Sequence, residues 1–367
     1  MTPIEIRASC TRTLVHHGPS PLAERLQGLI DELGEHDASD LYGSGALIEE
    51  FEAEIAEILG KPAAVFMPSG TMAQQIALRI WCDEAGIGKV GYHPSSHLHL
   101  HEHQALEELH RLEVTLLGDP ERPLDASDLD GVGELGAVLI ELPQRELGGV
   151  LPTWDALQAL ISASRSRASA VHLDGARLWE AVPFYDRPVA HIAALFDSVY
   201  VSFYKGLGGI AGAVLAGPAD HIDQAKIWQR RHGGNLVALW PYVLSARRSL
   251  AERRGKMPAY VAHMQAFSAA VSGIEGIRVV PDPPHTNMAH IQLAGETEAL
   301  HQAALEVSSE TGVWVGQRFR EGGWFELPVG DASLEIQPEE FADLMRMILA
   351  RAADLVEQDI RATSDGE

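Results

Sequence analysis

The sequence predicts an α/β fold, with a mainly parallel central sheet, helices on both of its faces and a smaller α+β domain at the C-terminal end. From Ala63 to Ala216, short apolar runs of strand length alternate with segments of helical periodicity, which is typical of a parallel sheet. Toward the C-terminus, helices and strands follow in a mixed order. We therefore expect an N-terminal arm and helix over residues 1–43, a large ligand-binding domain over 44–245 and a small C-terminal domain over 246–367.

Each element follows from its periodicity and its flanking residues. Leu47, Phe51 and Ile55, for example, recur at helical spacing, and Lys61 and Pro62 end that helix. An extended arm is expected over residues 4–18, and the polar tail over 362–367 predicts a frayed end. The predicted helices cover residues 21–34, 46–59, 72–81, 154–164, 222–231, 236–254, 260–272, 296–311 and 338 onward. The predicted strands cover residues 63–67, 113–117, 137–142, 170–173, 199–203, 213–216, 277–280, 288–293, 313–320 and 324–327.

The composition limits the classes of protein and partner. The chain has 367 residues, of which 46% are hydrophobic, and it carries a formal net charge of −24. That charge disfavours nucleic acid and anionic membranes as partners, so any anionic ligand has to be held by local groups. No apolar run reaches the length of a membrane span, and the first residues lack the apolar core of a signal peptide. With only Cys10 and Cys82 present, we expect no disulfide framework and a cytoplasmic protein.

Two of the predicted strands are each followed by one charged residue. Asp174 follows the apolar run 170–173, and Lys205 follows the run 199–203. Because ligands of open parallel sheets bind beyond the carboxyl ends of the strands, we expect both side chains at one edge of the sheet. An aldehyde cofactor with a pyridine ring requires such a pair, since the amine forms a Schiff base and the carboxylate keeps the ring nitrogen protonated. Taken singly, a helix cap explains Asp174 and solvation explains Lys205, but the pair and the glycines after it favour the cofactor site.

A helix start supplies a candidate anion site. The segment Ser69-Gly70-Thr71 follows a predicted strand and opens a predicted helix. Small residues with free N–H groups at a helix N-terminus are suited to binding phosphate. A plain N-cap is the alternative, and the phosphate interpretation is favoured because the same sheet supplies Asp174 and Lys205.

Two further motifs suggest other chemistry. Six of the 17 histidines lie between His93 and His110, with spacings that bring imidazoles together, but no further ligand set completes a hydrolase metal site. We therefore predict no metal and expect most of these histidines to cover a helix start. The segment from Gly206 to Ala211 matches a dinucleotide fingerprint, yet an apolar strand over 213–216 follows where the fingerprint requires a helix.

Three segments give the chain a family resemblance. They are Phe66–Met72 (Phe-Met-Pro-Ser-Gly-Thr-Met), His172–Leu178 (His-Leu-Asp-Gly-Ala-Arg-Leu) and Lys205–Gly208 (Lys-Gly-Leu-Gly). On these segments, residues 42–249 resemble the threonine aldolase and β-eliminating lyase branch of the fold-type-I pyridoxal 5'-phosphate (PLP) enzymes. The resemblance implies an aspartate aminotransferase-like fold, PLP as cofactor and a small amino acid as substrate. It also implies a homodimer or homotetramer with shared active sites.

The resemblance assigns the cofactor contacts. It implies that Lys205 forms the Schiff base with PLP, that Asp174 pairs with the pyridinium nitrogen and that Arg177 approaches the phenolic oxygen of the ring. It places His97 against the face of the ring. It assigns the phosphate to Ser69, Gly70 and Thr71.

The subunit and substrate contacts follow the family less closely. By resemblance, Arg231 reaches a neighbouring subunit's phosphate and Tyr42 enters a neighbour's site. Ser9, a predicted substrate contact, lies in an arm that departs from the family's Arg-Ser-Asp-Thr, and Gln144 stands where the family carries a histidine near the substrate hydroxyl. The late strand lacks the arginine that holds the substrate carboxylate in the family. The candidates to replace it are Arg318 and Arg320.

The predicted reaction is retro-aldol cleavage of a threonine-like β-hydroxy-α-amino acid to glycine and an aldehyde. The resemblance implies that the cofactor accepts electrons as the Cα–Cβ bond breaks, while Asp174 keeps its ring protonated. The base for the β-hydroxyl proton is His97 or a water beside it, and Gln144 can only orient the hydroxyl. A β-eliminating lyase and a catalytically silent PLP-binding relative are the alternatives within the class. A nicotinamide oxidoreductase and a His-cluster metallohydrolase are those outside it.

Overall fold

The chain divides into two compact units. The computed structural model describes residues 1–35, 37–316 and 318–364, with side chains up to residue 361. One unit covers Ser20–Lys256, and the other combines Met1–Pro19 with the chain from Met257. The first residues belong to the second unit because a short strand near Arg12 pairs with one near Val313. The predicted division placed residues 1–43 in a separate N-terminal region, whereas the contacts group Met1–Pro19 with the C-terminal part of the chain.

The described helices and strands have the following bounds. The strands are β1 (Arg12–Thr13), β2 (Ala63–Met67), β3 (Lys89–Tyr92), β4 (Glu113–Leu116), β5 (Leu135–Glu141), β6 (Ala168–Gly175), β7 (Ser198–Ser202), β8 (Ala213–Gly217), β9 (Ile277–Val280), β10 (Met288–Leu293), β11 (Val313–Trp314) and β12 (Trp324–Pro328). The helices are α1 (Pro3–Ser9), α2 (Leu22–Glu32), α3 (Ala46–Leu59), α4 (Gly70–Ala85), α5 (His97–His101), α6 (Ala105–His110), α7 (Trp154–Arg165), α8 (Leu178–Tyr185), α9 (Val189–Ala193), α10 (Ala219–Arg231), α11 (Trp240–Arg253), α12 (Met257–Val271), α13 (Thr297–Thr311) and α14 (Pro338–Ser364). Short 3-10 helices lie at Ala126–Leu129, Arg145–Leu147, Arg254–Lys256, Glu321–Gly323 and Ser333–Glu335.

A seven-stranded sheet forms the centre of the unit over Ser20–Lys256, in the order β2-β8-β7-β6-β5-β3-β4. The strands from β4 to β7 pair in parallel, and β8 pairs antiparallel with both β7 and β2. The prediction of a mainly parallel α/β sheet is therefore confirmed. In the strand register Glu141 pairs with Asp174 and Asp174 pairs with Tyr200, so the carboxyl ends of β5, β6 and β7 lie side by side.

Helix α4 is held against this sheet by an apolar face. Its buried residues recur at helical spacing and pack with residues of β2, β7, β8 and α10. Ser69 begins the helix as its N-cap, and Gly86 ends it in the left-handed conformation, with φ of 65°. Because β2 ends at Met67, the chain turns into α4 at the edge of the sheet, and the helix N-terminus lies there.

The second unit contains a three-stranded antiparallel sheet, in the order β12-β10-β9, and the parallel pair of β1 with β11. Its helices α12 and α14 share an apolar contact in which the rings of Phe267 and Phe341 stack with centroids 4.4 Å apart. Arg12 binds Glu340 through two N–H groups, at 3.0 and 2.7 Å. The contact of Arg12 with Glu340 joins the first residues of the chain to the last helix.

The structure differs from the expected elements at a few places. The arm expected to be extended begins with the helix α1, because Thr2 and Glu5 form a reciprocal capping box at its start. Among the described residues of the strand expected over 313–320, β11 covers only Val313–Trp314, and the strand β3 was missed. The tail predicted to fray lies in residues whose side chains are outside the described part of the chain. Among the described helices, none combines the length and apolar character that a membrane span requires.

Candidate active site

One pocket lies at the carboxyl ends of β5, β6 and β7 and holds about 450 Å³ of space, part of it open to solvent. Its position agrees with the rule that ligands of parallel sheets bind beyond the carboxyl ends of the strands. The predicted site residues that it brings together are Gly70, Thr71, His97, Asp174, Arg177 and Lys205. Their individual roles stay predictions, and their contacts show what each can do.

Asp174 is a buried carboxylate at the end of β6. Its Oδ1 accepts a hydrogen bond from the Ala176 N–H at 3.0 Å, and its Oδ2 accepts one from Gln74 Nε2 at 2.5 Å. Burial raises the pKa of Asp174 above its ordinary value, and these two hydrogen bonds act in the opposite direction by stabilising the charged form. The carboxylate is thus held in a fixed orientation at the pocket, ready for a cationic partner.

Lys205 lies three residues beyond the end of β7, in the turn that leads to β8. Its Nζ is 5.1 Å from the centroid of the Tyr204 ring. The next residue, Gly206, packs so closely on Glu180 that an added Cβ would lie 2.0 Å from the Glu180 Oε1 atom. Burial raises the pKa of Glu180 to about 7, although the positive charges of Arg177 and Lys205 lower it. The buried side chain of Glu180 therefore packs directly against the turn that carries Lys205.

The start of α4 forms one wall of the pocket. Ser69 Oγ accepts the Met72 N–H at 3.3 Å, so the plain N-cap is present in the structure. Gly70 lies against the buried Tyr200, and a Cβ at this position would be 1.9 Å from the Tyr200 hydroxyl oxygen. Because the first N–H groups of a helix have no acceptor within the helix, Gly70 and Thr71 offer donors to an anion here.

His97 begins α5 and faces the pocket beside a buried acid. Its Nδ1 lies 3.1 Å from Glu102 Oε1. The other carboxylate oxygen of Glu102 accepts a hydrogen bond from Gln75 Nε2 at 3.1 Å. Glu102 therefore holds the His97 imidazole at Nδ1, and Nε2 is the ring nitrogen that this contact does not use.

The pocket also contains a cluster of charged side chains. Glu146 Oε1 accepts a hydrogen bond from Arg145 Nη1 at 2.8 Å and lies 3.0 Å from His101 Nε2. Glu141, the last residue of β5, accepts the Arg145 N–H at 3.1 Å. Burial and the negative charge of Asp174 raise the pKa of Glu141 above its ordinary value. The pocket thus carries both signs of charge, as a zwitterionic amino acid requires.

Gln144 does not line the active-site pocket. Its side chain lines a second, smaller pocket, in which Nε2 contacts His93 Nδ1 and donates to Ser95 Oγ at 3.0 Å. The His93 ring is itself held by Ser95 and by the backbone oxygens of Asp119 and Arg122. The 3-10 helix that follows Gln144 brings Arg145 to the active-site pocket. The substrate role of Gln144 stays a prediction.

The two residues expected to reach a neighbouring subunit lie on the surface of the unit. Tyr42 is exposed, and its N–H donates to the Val237 oxygen at 3.0 Å. The loop is fixed by the buried Asp40, whose Oδ1 accepts the N–H groups at the start of α11, both at 2.8 Å. Arg231 is exposed and lies over the Trp228 ring at 4.4 Å. Their roles at a subunit interface stay predictions.

Ser9 and Arg318 belong to the second unit. Ser9 is exposed on α1, and its hydroxyl donates to the Ile6 oxygen at 2.8 Å. Arg318 is exposed and lies outside the described strands. Their substrate roles stay predictions.

Among the described residues, no group of three or more His, Cys, Asp and Glu side chains could hold a metal ion.

Several pocket residues were missed from the sequence. They are Gln74, His101, Glu102, Glu141, Arg145, Glu146, Tyr200 and Tyr204. Two of them carried a usable signal. Gln74 lies one helical turn after Gly70, and Glu141 follows an apolar run in the same way as Asp174. The position of Glu102 depends on how the chain turns after α5, which periodicity does not describe.

Comparison with known proteins identifies relatives over most of the chain. Residues 33–295 match the family described as Beta-eliminating lyase. A protein of known structure from Listeria monocytogenes EGD-E, provisionally assigned as an L-allo-threonine aldolase, is 41% identical, with a TM-score of 0.89 over 95% of this chain and 99% of that chain. A probable low-specificity L-threonine aldolase of Arabidopsis thaliana is 25% identical over 75% of this chain and 81% of its own length. The fold is also that of a serine palmitoyltransferase solved with PLP as its internal aldimine, at 18% identity and a TM-score of 0.67 over 94% and 87% of the two chains.

Proposed function

Because the chain belongs to the β-eliminating lyase family, we propose that it is a PLP-dependent lyase that cleaves a threonine-like β-hydroxy-α-amino acid to glycine and an aldehyde. The observation that carries the proposal is one pocket that contains both Asp174 and Lys205, at the ends of adjacent parallel strands, beside the N-terminus of α4. The similarity to the Listeria and Arabidopsis proteins supports the choice of a threonine-like substrate.

The residues of the pocket fit each part of PLP. The amine of Lys205 suits the aldehyde, and the buried, doubly hydrogen-bonded Asp174 suits a protonated ring nitrogen. The N–H groups at Gly70 and Thr71 suit the phosphate, and the close approach of Tyr200 leaves no room for a larger residue at Gly70. When bound, the cofactor supplies an electron sink for the Cα–Cβ bond that breaks.

The protein contributes charge and orientation to this reaction. Asp174 holds the proton at the ring nitrogen, because a buried carboxylate with fixed hydrogen bonds stabilises that charge without having to reorganise. Arg177 and Arg145 both line the pocket and are the described candidates there for holding the substrate carboxylate. His97 takes the β-hydroxyl proton, directly or through a water, with the Nε2 lone pair.

The test of the proposal begins with the purified protein incubated with PLP. Reduction with borohydride should leave a pyridoxyl group on Lys205, identified by peptide mass, and Lys205→Ala should abolish that modification. Threonine, allo-threonine and phenylserine should each be supplied to wild type, with glycine release measured. We expect glycine from at least one of them and none with Lys205→Ala.

The possible outcomes separate the parts of the proposal. A pyridoxyl group on a lysine other than Lys205 would show that the attachment site is wrong. Cofactor binding at Lys205 without glycine release from any of the three substrates would contradict the aldol reaction. If another amino acid then released ammonia and a keto acid, the enzyme would be a β-eliminating lyase.

Assembly and location complete the proposal. We infer a homodimer or homotetramer in which Tyr42 and Arg231 reach a neighbouring site, on the strength of their family resemblance and their exposure on this chain. We infer a cytoplasmic location because both cysteines are free, as is usual for proteins of reducing compartments.

A further inference from the structure

Two consecutive glutamines on α4 each bind one carboxylate of the pocket. Gln74 donates to Asp174 and Gln75 donates to Glu102, at 2.5 and 3.1 Å. Both glutamines are buried, with 2% and 3% of their surfaces exposed. The helix whose N-terminus faces the pocket therefore also fixes the orientation of two acids, and the second acid contacts an imidazole.

Both oxygens of Glu102 are used. Oε2 accepts the Gln75 N–H, and Oε1 lies 3.1 Å from His97 Nδ1. The Glu102 side chain is almost fully buried, at 2% exposure, whereas the His97 side chain is 37% exposed and lines the pocket. An acid held in this way is an acceptor for the imidazole and has little freedom to leave it.

The geometry sets the tautomer of His97. An ionised carboxylate has no hydrogen to donate, so the shared hydrogen lies on His97 Nδ1. The neutral ring then carries a free lone pair on Nε2. The anchor of this contact is Gln75 on α4, outside the short segment that carries His97 and Glu102, so the contact does not depend on a five-residue helix alone.

We propose that Glu102, held by Gln75, is a positioning residue that fixes His97 as the Nδ1–H tautomer and keeps Nε2 free as a proton acceptor in the pocket. The proposal deepens the proposed lyase function and rests on it for the identity of the proton, which is that of the substrate β-hydroxyl. It also gives His97 a role beyond stacking on a ring, since stacking alone is indifferent to which nitrogen carries the hydrogen.

The first experiment measures the tautomer directly. The full-length protein, saturated with PLP, is labelled with ¹⁵N-histidine, and the His97 signals are identified by their loss in His97→Phe. At pH 8 we expect Nδ1 protonated and Nε2 unprotonated in wild type. Glu102→Gln should remove this preference, because a carboxamide can either donate or accept. Glu108→Gln is the matched control, since it removes one exposed acid from the neighbouring helix α6, and its spectrum should match wild type.

The second experiment asks whether Glu102 acts through His97. Glu102→Gln should lower kcat about 10–100-fold, the usual effect of losing a residue that orients a functional histidine, with KM within about twofold. In the His97→Phe background, the same substitution should change kcat by less than about twofold, because the residue it orients is gone. Glu108→Gln should leave kcat unchanged in both backgrounds.

Two results would overturn the proposal. One is a wild-type spectrum with the hydrogen on His97 Nε2. This result contradicts the proposed tautomer by itself, so it does not depend on the folding of the Glu102→Gln variant. The other is an equal loss of kcat from Glu102→Gln in the wild-type and His97→Phe backgrounds. Absence of glycine release from wild type would overturn the proposed function alone, since the tautomer is measured without turnover.

Discussion

At the scale of single residues, hydrogen bonds fix the orientation of the buried acids Asp174 and Glu102 in the pocket. Asp174 accepts hydrogen bonds at both oxygens, and among the described residues the Gln74 Oε1 atom has no hydrogen-bond partner. Gln74 can therefore reverse its amide and accept a hydrogen bond where it now donates one. This freedom makes a conservative test of Asp174 possible.

Replacing Asp174 with asparagine should preserve the fold and lower turnover. In Asp174→Asn the new amide can donate to the reversed Gln74, so we expect only a small change in Tm. The neutral amide cannot hold a proton at the ring nitrogen, and kcat should fall by about 10²-fold or more. Glycine release and thermal unfolding are measured side by side, with the exposed Asp83→Asn on α4, the helix that carries Gln74, as control. Near-normal kcat in Asp174→Asn would contradict its role.

The sequence predicted some pocket residues and not others for a physical reason. Asp174 and Lys205 follow apolar runs, and the parallel pairing of β6 with β7 brings such positions together whatever the side-chain details. The direction of Gln144 was not predictable, because it depends on its contacts with His93 and Ser95. Glu102 was missed for the same reason, since its partners lie on two different helices.

At the scale of elements, two buried imidazoles lie where the central sheet packs against α4 and α10. His172 of β6 contacts Ser198 Oγ at 2.7 Å, and Trp81 of α4 donates to the same oxygen at 2.8 Å. His221 of α10 stacks on Trp81 with ring centroids 4.3 Å apart. Burial lowers the pKa of His172 to about 3 and that of His221 to about 4. These rings stay neutral at pH values where exposed histidines are charged.

The buried histidines should make the protein less stable in mild acid. Unfolded histidine binds a proton near pH 6.5, and folded His221 does so only near pH 4, so falling pH across this window favours the unfolded chain. For His221 alone, the loss between pH 7.5 and 5 is about 2 kcal/mol, at about 1.4 kcal/mol per pKa unit below 6.5. Buried acids such as Glu52, whose pKa burial raises to about 7, have the opposite pH dependence. Because these opposite effects overlap in the wild-type protein, the contribution of His221 is measured by comparing variants.

His221→Phe keeps the stack on Trp81 and removes the titration. Urea unfolding at pH 7.5 and pH 5 should show a smaller loss of unfolding free energy for His221→Phe than for wild type. The exposed His103→Phe serves as the control and should lose as much as wild type. Equal losses for His221→Phe and wild type would show that His221 does not resist protonation in the folded state.

The elements themselves were largely predictable because their burial patterns are regular. Strands such as β2, β9 and β10 have the predicted bounds, since each is a short apolar run between clear breaks. β3 was missed because Gly91, where an added Cβ would lie 2.7 Å from Leu135, weakens the apolar pattern while permitting close packing. α1 was missed because its capping box lies in a segment with little apolar periodicity.

At the scale of the whole molecule, charge and surface bear on assembly. The chain has a net charge of −24, and within the pocket Arg145, Arg177 and Lys205 lie beside four acidic side chains. The proposed anionic cofactor would therefore depend on these local positive groups and on the helix N–H groups, against the overall field. Near the Tyr42 loop, Leu41 and Val237 are 63% and 59% exposed, and their apolar side chains suit burial against another subunit.

The proposal that active sites are shared between subunits predicts that two inactive variants can rescue each other. Tyr42→Phe and Lys205→Ala should each be inactive, the first for loss of a contact from the neighbouring subunit and the second for loss of the reactive amine. In a hybrid dimer, one site combines the intact Lys205 of one subunit with the intact Tyr42 of the other. Random exchange should therefore restore up to about a quarter of wild-type glycine release, because half of the dimers are hybrids with one complete site each. Exchange is verified by native mass spectrometry with differently tagged subunits, and Lys205→Ala mixed with a differently tagged copy of itself is the control. Verified hybrids without recovered activity would show that each chain builds its site alone.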